Sequence, residues 1–282
     1  MASVSVIINV FNRPDFLDKA LLSLAHQSFQ PDEVIISDDG STVDMLGVLR
    51  SRLPVLNMRV KYVRQEHLGF RLSRVRNNAA RHAEGDHFIF LDQDIIYTKH
   101  FIRTFVENIR PQRFLVAYPV RLTEEQTALL TDDMIVEGAF PIITRAQRRK
   151  VIRQYRKEKR QFICRKLRLS RIGPKLRGGL VLINREDYIR VNGFDEQYIG
   201  WGNEDDDLGH RLHEAGVIGY NPFVKEFPLH LYHPPFREGE KRVNLDYYRR
   251  RLKEIHGQGI YRCRFGLDRT NGEDSITLLR LK

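Results

Sequence analysis

Two groups of carboxylates carry the chemistry this sequence advertises. Asp92-Gln93-Asp94 ends the apolar run Phe88-Ile89-Phe90-Leu91, and Glu204-Asp205-Asp206-Asp207 follows Gly200-Trp201-Gly202-Asn203. Two acids flanking one residue at the tip of a buried strand can hold Mg2+ or Mn2+ through oxygen, with water and phosphates completing the shell. An ion held there would neutralise a diphosphate leaving group and act as a Lewis acid. A carboxylate run behind an aromatic and two glycines suits a polar ligand that must lose a proton. Together the clusters suggest metal-assisted group transfer, provided the fold brings them together. Each has a plainer reading: a D-x-D triplet is common in turns, and acids at a helix start complement its dipole, the role expected of Asp206 and Asp207.

The elements that must position these groups follow from the apolar pattern. Residues 4–10 read as a buried parallel strand, broken by Asn12-Arg13-Pro14. Asp15 opens a helix in which Phe16, Leu17, Ala20, Leu21 and Leu24 share a face. Residues 34–36, 60–63 and 87–91 read as further strands, with a helix over 74–83. This alternation predicts a parallel, right-handed doubly wound sheet, in which ligands sit beyond the carboxyl ends of the strands. Asn9 and Asn12, Asp38 and Asp39, and Asp92 and Asp94 all lie at strand ends, so the topology alone gathers them on one rim. Further along, strands are expected at 115–118 and 177–183, and helices at 123–130, 187–191, 206–215 and near 243–255.

The net charge is +11 over 282 residues, but it is concentrated. Residues 145–177 hold fifteen Lys and Arg against a single acid, Glu158, leaving the rest of the chain at −3. The body is near neutral and carries one cationic segment. Val151, Ile152, Tyr155, Phe162, Ile163 and Leu167 recur loosely at helical spacing within it, predicting a basic amphipathic helix pair. Such a surface suits an anionic membrane or a charged, lipid-linked ligand. Nucleic acid is a weaker expectation, because no recognised RNA-binding module accompanies the charge. No apolar stretch is long enough to span a bilayer, and the N-terminus reads as a strand rather than a signal peptide. Two cysteines are too few and too distant for a disulfide framework or zinc site, so a reducing cytoplasm is the default expectation, with peripheral association at the inner face of the cytoplasmic membrane as the extension of it.

At this point the chain resembles a known family. Val4-Ser5-Val6-Ile7-Ile8, Ser37-Asp38-Asp39-Gly40-Ser41-Thr42, Arg76-Asn77, Ala83-Glu84-Gly85-Asp86 and Leu91-Asp92-Gln93-Asp94, in that order, resemble family 2 glycosyltransferases of the GT-A fold. Gly200-Trp201-Gly202-Asn203-Glu204-Asp205-Asp206-Asp207-Leu208 resembles the acceptor-side motif of chondroitin-polymerase-like enzymes and animal β-1,4-galactosyltransferases. The resemblance covers residues 3–235 and leaves out the basic segment and the tail. It implies an α/β protein with a doubly wound, mostly parallel GT-A sheet flanked by helices. Residues 1–100 would form a nucleotide-sugar-binding half and 101–235 an acceptor-binding half, with a basic helical insertion at 145–177 and a C-terminal extension at 236–282.

The resemblance also implies roles. Asp38 and Asp39 would hold the uracil and ribose of a nucleotide sugar, with Asn9 and Phe11 near the base. Arg76 would steady the site near the diphosphate. Asp92 would bind sugar or ribose hydroxyls and assist the metal, Mn2+ or Mg2+, with Asp94 as its direct ligand. His230 or His233 would be a second metal ligand, with His233 slightly favoured. Gly179, with Gly178, would approach the donor sugar. Asp205 would be the general base of an inverting transfer and Glu204 would hold a neighbouring acceptor hydroxyl. Trp201 would stack on an acceptor ring, while Gly200 and Gly202 permit close approach. The implied activity moves a hexose or N-acetylhexosamine from a nucleotide sugar, UDP-linked by expectation, to a glycan or glycolipid acceptor in cell-surface polysaccharide or lipopolysaccharide synthesis. The alternative is a non-catalytic GT-A-like module that binds a membrane or polyanion through its basic segment.

Overall fold

The computed structural model describes residues 2–171, 173–234, 243–268 and 275–282. The boundary expected at 235/236 lies outside the described residues.

The first hundred residues wind as the alternation predicts. Strands β1 (Val4–Val10), β2 (Glu33–Asp38), β3 (Arg59–Arg64) and β4 (His87–Asp92) alternate with helices α1 (Pro14–Ala25), α2 (Met45–Arg52) and α3 (Leu72–Arg81). All four strands are parallel, in the order β3-β2-β1-β4. Every residue of β1 is buried, because helices cover both faces of the sheet. Alternate residues go to opposite sides. Val4, Val6, Ile8 and Val10 join the core under α1 and α2, and Ile7 joins Ile35 and Val63 in the core under α3. Each such aliphatic side chain contributes roughly 1.5–3 kcal/mol on burial.

The second half departs from simple winding. After β5 (Ile95–Ile96), α4 (Phe101–Glu107), β6 (Arg113–Val116), β7 (Val120–Arg121), α5 (Glu124–Ala128) and α6 (Asp132–Glu137), the basic segment forms α7 (Arg145–Lys166). This is one unbroken helix of 22 residues rather than the expected pair. No Gly or Pro interrupts it before Gly173-Pro174, and a Thr144–Gln147 capping box starts it. The chain then runs through β8 (Leu180–Asn184), α8 (Arg185–Arg190), α9 (Glu204–Glu214), β9 (Ile218–Tyr220), β10 (Leu229–His230), α10 (Leu245–Gln258) and β11 (Thr277–Arg280). Strand β8 inserts antiparallel between β4 and β6. The complete sheet runs β11-β3-β2-β1-β4-β8-β6-β9, and a small second sheet runs β5-β10-β7. The tail is woven into this body: β11 pairs antiparallel with β3, and Arg251 of α10 faces Asp207 of α9 at 3.4 Å.

Candidate active site

Register builds the rim. Parallel pairing sets Asn9 of β1 opposite Ser37 of β2 and Asp92 of β4, with Val10 opposite Asp38. Asn9 Nδ2 donates to Asp92 Oδ1 at 3.1 Å. Gln93 then closes the strand end. Its Oε1 accepts from the Phe11 amide at 3.2 Å and its Nε2 donates to the Phe11 carbonyl at 3.0 Å. The middle residue of the D-x-D triplet is therefore the backbone clamp for Phe11, a role its polarity alone did not signal.

Phe11 stacks on His67, centroids 4.4 Å apart and planes 18° from parallel. His67 comes from the loop after β3 and no sequence pattern marked it. The Asp39 carboxylate accepts from Gln65 Nε2 at 2.6 Å, and burial raises its pKa. Asp38 is engaged differently. It accepts from the Ser41 amide and hydroxyl at 2.9 and 2.6 Å and from the Tyr62 hydroxyl. Those bonds shape the turn at Gly40, where φ is +72° and an added Cβ would collide with the backbone at Gln65 and His67. Of the expected base and ribose pair, Asp39 borders the Phe11–His67 stack while Asp38 holds the loop that carries it.

The metal-side residues converge through the small sheet. Antiparallel pairing puts His230 of β10 opposite Ile95 of β5, one residue beyond Asp94, and the Leu231 amide donates to the Asp94 carbonyl at 2.9 Å. Asp94 Oδ2 lies 3.2 Å from His233 Nε2 and 3.7 Å from His230 Nε2. Among the described residues, these three offer ligand atoms all within 4.8 Å of one another. Burial would raise the Asp94 pKa, but His233 and His230 outweigh it and the net shift is downward. Asp94 Oδ1 is buried without a hydrogen-bond partner, an unsatisfied acceptor that a bound cation would satisfy. Both histidines reach the carboxylate, where one was expected. Asp92, also expected as a ligand, falls outside the trio, its Oδ1 facing Asn9 and Arg76 instead. Arg13 adds a cation 3.7 Å from Asp94 Oδ2 that the sequence did not mark.

Arg76 joins the two acidic clusters. Its side chain is 1% exposed and lies over the Phe194 ring, 4.8 Å from the centroid. Nη1 donates to Asp205 Oδ1 at 2.8 Å and Nη2 to Asp92 Oδ1 at 3.2 Å. Burial opposes its charge, yet Asp205, Asp92 and Glu204 prevail and its pKa is raised. The guanidinium is buried while the two carboxylates reach solvent, Asp205 28% and Asp92 39% exposed, so water screens part of each pair. The start of β8 lies directly against these groups. A Cβ at Gly178 would overlap Asp205 Oδ1 and Arg76 Nη1, and one at Gly179 would overlap Asp92 Oδ2. The two glycines are empty space that lets backbone and carboxylates meet.

Glu204 and Asp205 occupy the first turn of α9. Helix α9 begins at Glu204, two residues earlier than expected, and Asp206 and Asp207 lie in its first turn as expected while also making ion pairs. Asp206 pairs with Lys175 at 2.8 Å, and Asp207 is wholly buried against Arg211 and Arg251. Glu204 is 6% exposed with Oε2 unpartnered. Burial, reinforced by Asp205 and opposed by Arg76, pushes its pKa up to about 7. Trp201 stands 47% exposed on the preceding loop. Gly200, Gly202 and Asn203 all have positive φ there, at +81°, +103° and +75°.

This arrangement and the sequence agree with known proteins. The model of "Glycosyl transferase family 2" matches residues 5–172 and that of "N-terminal domain of galactosyltransferase" matches residues 159–234. The chain belongs to glycosyl transferase family 2. It is 32% identical over 226 residues to validoxylamine A glucosyltransferase of Streptomyces hygroscopicus subsp. limoneus, covering 76% of this chain and 48% of that protein. It is 28% identical over 248 residues to chondroitin synthase of Escherichia coli, covering 84% of this chain and 36% of that protein. The chain thus spans about half or less of these relatives' lengths. In structure it is similar to a mannosyltransferase from Pyrobaculum calidifontis solved with GDP-Man and Mn2+, with a TM-score of 0.56 at 17% identity, covering 92% of this chain and 63% of that one. The fold is of the GT-A type.

Proposed function

We propose that this chain is an inverting, metal-dependent glycosyltransferase that moves a hexose or N-acetylhexosamine from a UDP-sugar to a glycan acceptor in cell-surface polysaccharide or lipopolysaccharide synthesis. The observation that carries this reading is the single guanidinium of Arg76 bridging Asp92 and Asp205. It ties the donor-side carboxylate to the acceptor-side carboxylate across one cleft.

Asp94, His230 and His233 would hold the divalent ion, with two imidazoles favouring a transition ion such as Mn2+ over Mg2+. The ion would supply Lewis-acid stabilisation of the departing diphosphate. Phe11, His67 and Asp39 line the place for the nucleoside, and Asp92 with the Gly178-Gly179 backbone the place for the sugar. Trp201 provides the acceptor platform. Asp205 takes the proton of the acceptor hydroxyl as that oxygen bonds to the anomeric carbon. The bond from that carbon to the diphosphate oxygen breaks on the opposite face, which inverts an α-linked donor to a β-glycoside. Arg76, fixed between the two carboxylates, keeps Asp205 oriented and its charge balanced. Glu204, protonated in part near neutral pH, can offer a hydrogen bond to a second acceptor hydroxyl.

The test is a panel of nucleotide sugars with Mn2+, comparing the native chain with Asp205→Asn. General-base removal should cut transfer about 10²–10⁴-fold with donor affinity retained. Near-normal turnover in that variant would remove Asp205 from the role. Hydrolysis of no donor by the native chain would leave the binding-module reading.

An anionic membrane surface is the partner proposed for α7. Val151 and Glu158 face the body, and Glu158 is locked there by Arg177 at 2.6 Å and Asn221 at 2.6 Å. The opposite face carries Arg145, Arg149, Arg153, Arg156 and Arg160 in a row with Ile152, Ile163 and Leu167, all exposed. A cationic ridge with interleaved aliphatics matches lipid headgroups and the acyl boundary beneath them. Among the described residues no helix is long and apolar enough to cross a membrane.

A further inference from the structure

The loop that presents Trp201 is held on two sides, once from beyond the matched residues 5–234. On one side the Gly200 amide donates to the Phe70 carbonyl at 2.8 Å, in the loop just before α3. On the other side stands Asn244, the residue preceding α10. Its Nδ2 donates to the Gly200 carbonyl at 3.3 Å and to the Gly202 carbonyl at 3.1 Å. One primary amide thus spends both its protons on the two carbonyls that straddle Trp201. Asn244 is 6% exposed, and its neighbour Val243 lies where a Cβ on Gly200 would go.

The loop needs such a brace. Gly200, Gly202 and Asn203 all lie in the left-handed region, and Asn203 makes no side-chain cap bond to α9. Glycines at these positions leave the unbraced backbone many alternatives. The brace is itself anchored. In α10, Tyr247 donates to Asp195 at 2.7 Å, and Arg251 lies 3.4 Å from Asp207 inside α9. Helix α10 therefore fixes the loop relative to the helix that carries Glu204 and Asp205.

We infer that Asn244 is a positioning residue for acceptor binding: through the Gly200 and Gly202 carbonyls it sets the height and tilt of Trp201 over the acceptor side of the cleft. The acceptor role of Trp201 rests on the function proposed above, but the brace does not, and the two can be tested apart. Trp201 is the sole tryptophan, so its fluorescence reports this loop alone. The experiment compares the native chain with Asn244→Ala and with Asn244→Asp, which keeps the shape and loses both donors. Acrylamide quenching constant, emission anisotropy and melting temperature are measured, together with Mn2+-dependent hydrolysis of a UDP-sugar without acceptor. In both variants the quenching constant should at least double and the anisotropy should fall, while hydrolysis of the donor stays within twofold of native. Unchanged quenching and anisotropy would overturn the inference, and so would a lower melting temperature with no change in the Trp201 signal. If no UDP-sugar is hydrolysed by any of the three proteins, the transferase reading fails while the fluorescence comparison still decides the brace.

Discussion

Replacing Glu204 by Gln should stabilise the protein, progressively more as pH rises from about 4.5 to about 7 and fully above that. The carboxyl is 6% exposed, one oxygen lacks a partner, and Asp205, Asp92 and Arg76 are charged neighbours. Burial and those carboxylates raise its pKa from 4.5 to about 7. The folded chain therefore holds this proton more tightly than the unfolded chain does. That extra stability is fully present below pH 4.5 and is lost as pH rises through 7. A rise of this size corresponds to roughly 3 kcal/mol at ~1.4 kcal/mol per pH unit. Glutamine has the shape of the protonated acid at every pH, so it escapes the loss. At ~2 °C per kcal/mol for a chain of this length, Glu204→Gln should melt about 6 °C above the native chain at pH 8 and close to it at pH 5. The assay is thermal unfolding of both proteins at both pH values, in chelator, so that cation binding at Asp94 does not contribute. A melting difference that is the same at pH 5 and pH 8 would refute the reasoning, as would a variant less stable than native at pH 8.

Two other outcomes follow from the geometry. His230→Ala and His233→Ala should each weaken Mn2+ binding at least tenfold, read by calorimetry, because both Nε2 atoms face Asp94 Oδ2; full affinity in either variant would remove that histidine from the ligand set. Reversing Arg149, Arg153, Arg156 and Arg160 to Glu should abolish co-sedimentation with phosphatidylglycerol vesicles while leaving donor hydrolysis intact; retained sedimentation would mean that α7 is a solvated face and no more.

What was legible in the sequence was whatever depends on near neighbours along the chain. The rim of strand ends was, because β1, β2 and β4 carry the apolar runs 6–8, 34–36 and 88–91, followed at once or within two residues by Asn9, Asp38 and Asp92. The cluster of Asp94, His230 and His233 was legible in part. Resemblance supplied the histidines, but the choice between them depended on the pairing of β10 with β5, which brings both. The basic segment was misjudged as two helices, since Arg and Lys serve equally on an exposed helix and at a break, and nothing local marks continuity. The lone acid within it, Glu158, is buried and paired to Arg177, which only the packed structure reveals. Asp207 is a first-turn residue of α9 as expected, but its Arg211 and Arg251 partners, which only packing brings, gave no local signal. Asn244 gave no signal at all, because its meaning lies in two carbonyls more than forty residues away.

The glycine pair at the head of β8 limits how this protein can be changed. Any side chain at Gly178 or Gly179 would strike the carboxylates of Asp205 or Asp92 or the guanidinium of Arg76, so a substitution there has to displace those groups. On the function proposed above, altered nucleoside or acceptor preference would enter through the walls: the loop around His67 on one side and the loop around Trp201 on the other. A mutant library spread evenly over the cleft would place many of its changes where they displace Arg76, Asp92 or Asp205. One confined to those two walls would keep the reacting groups in place and vary only what they are offered.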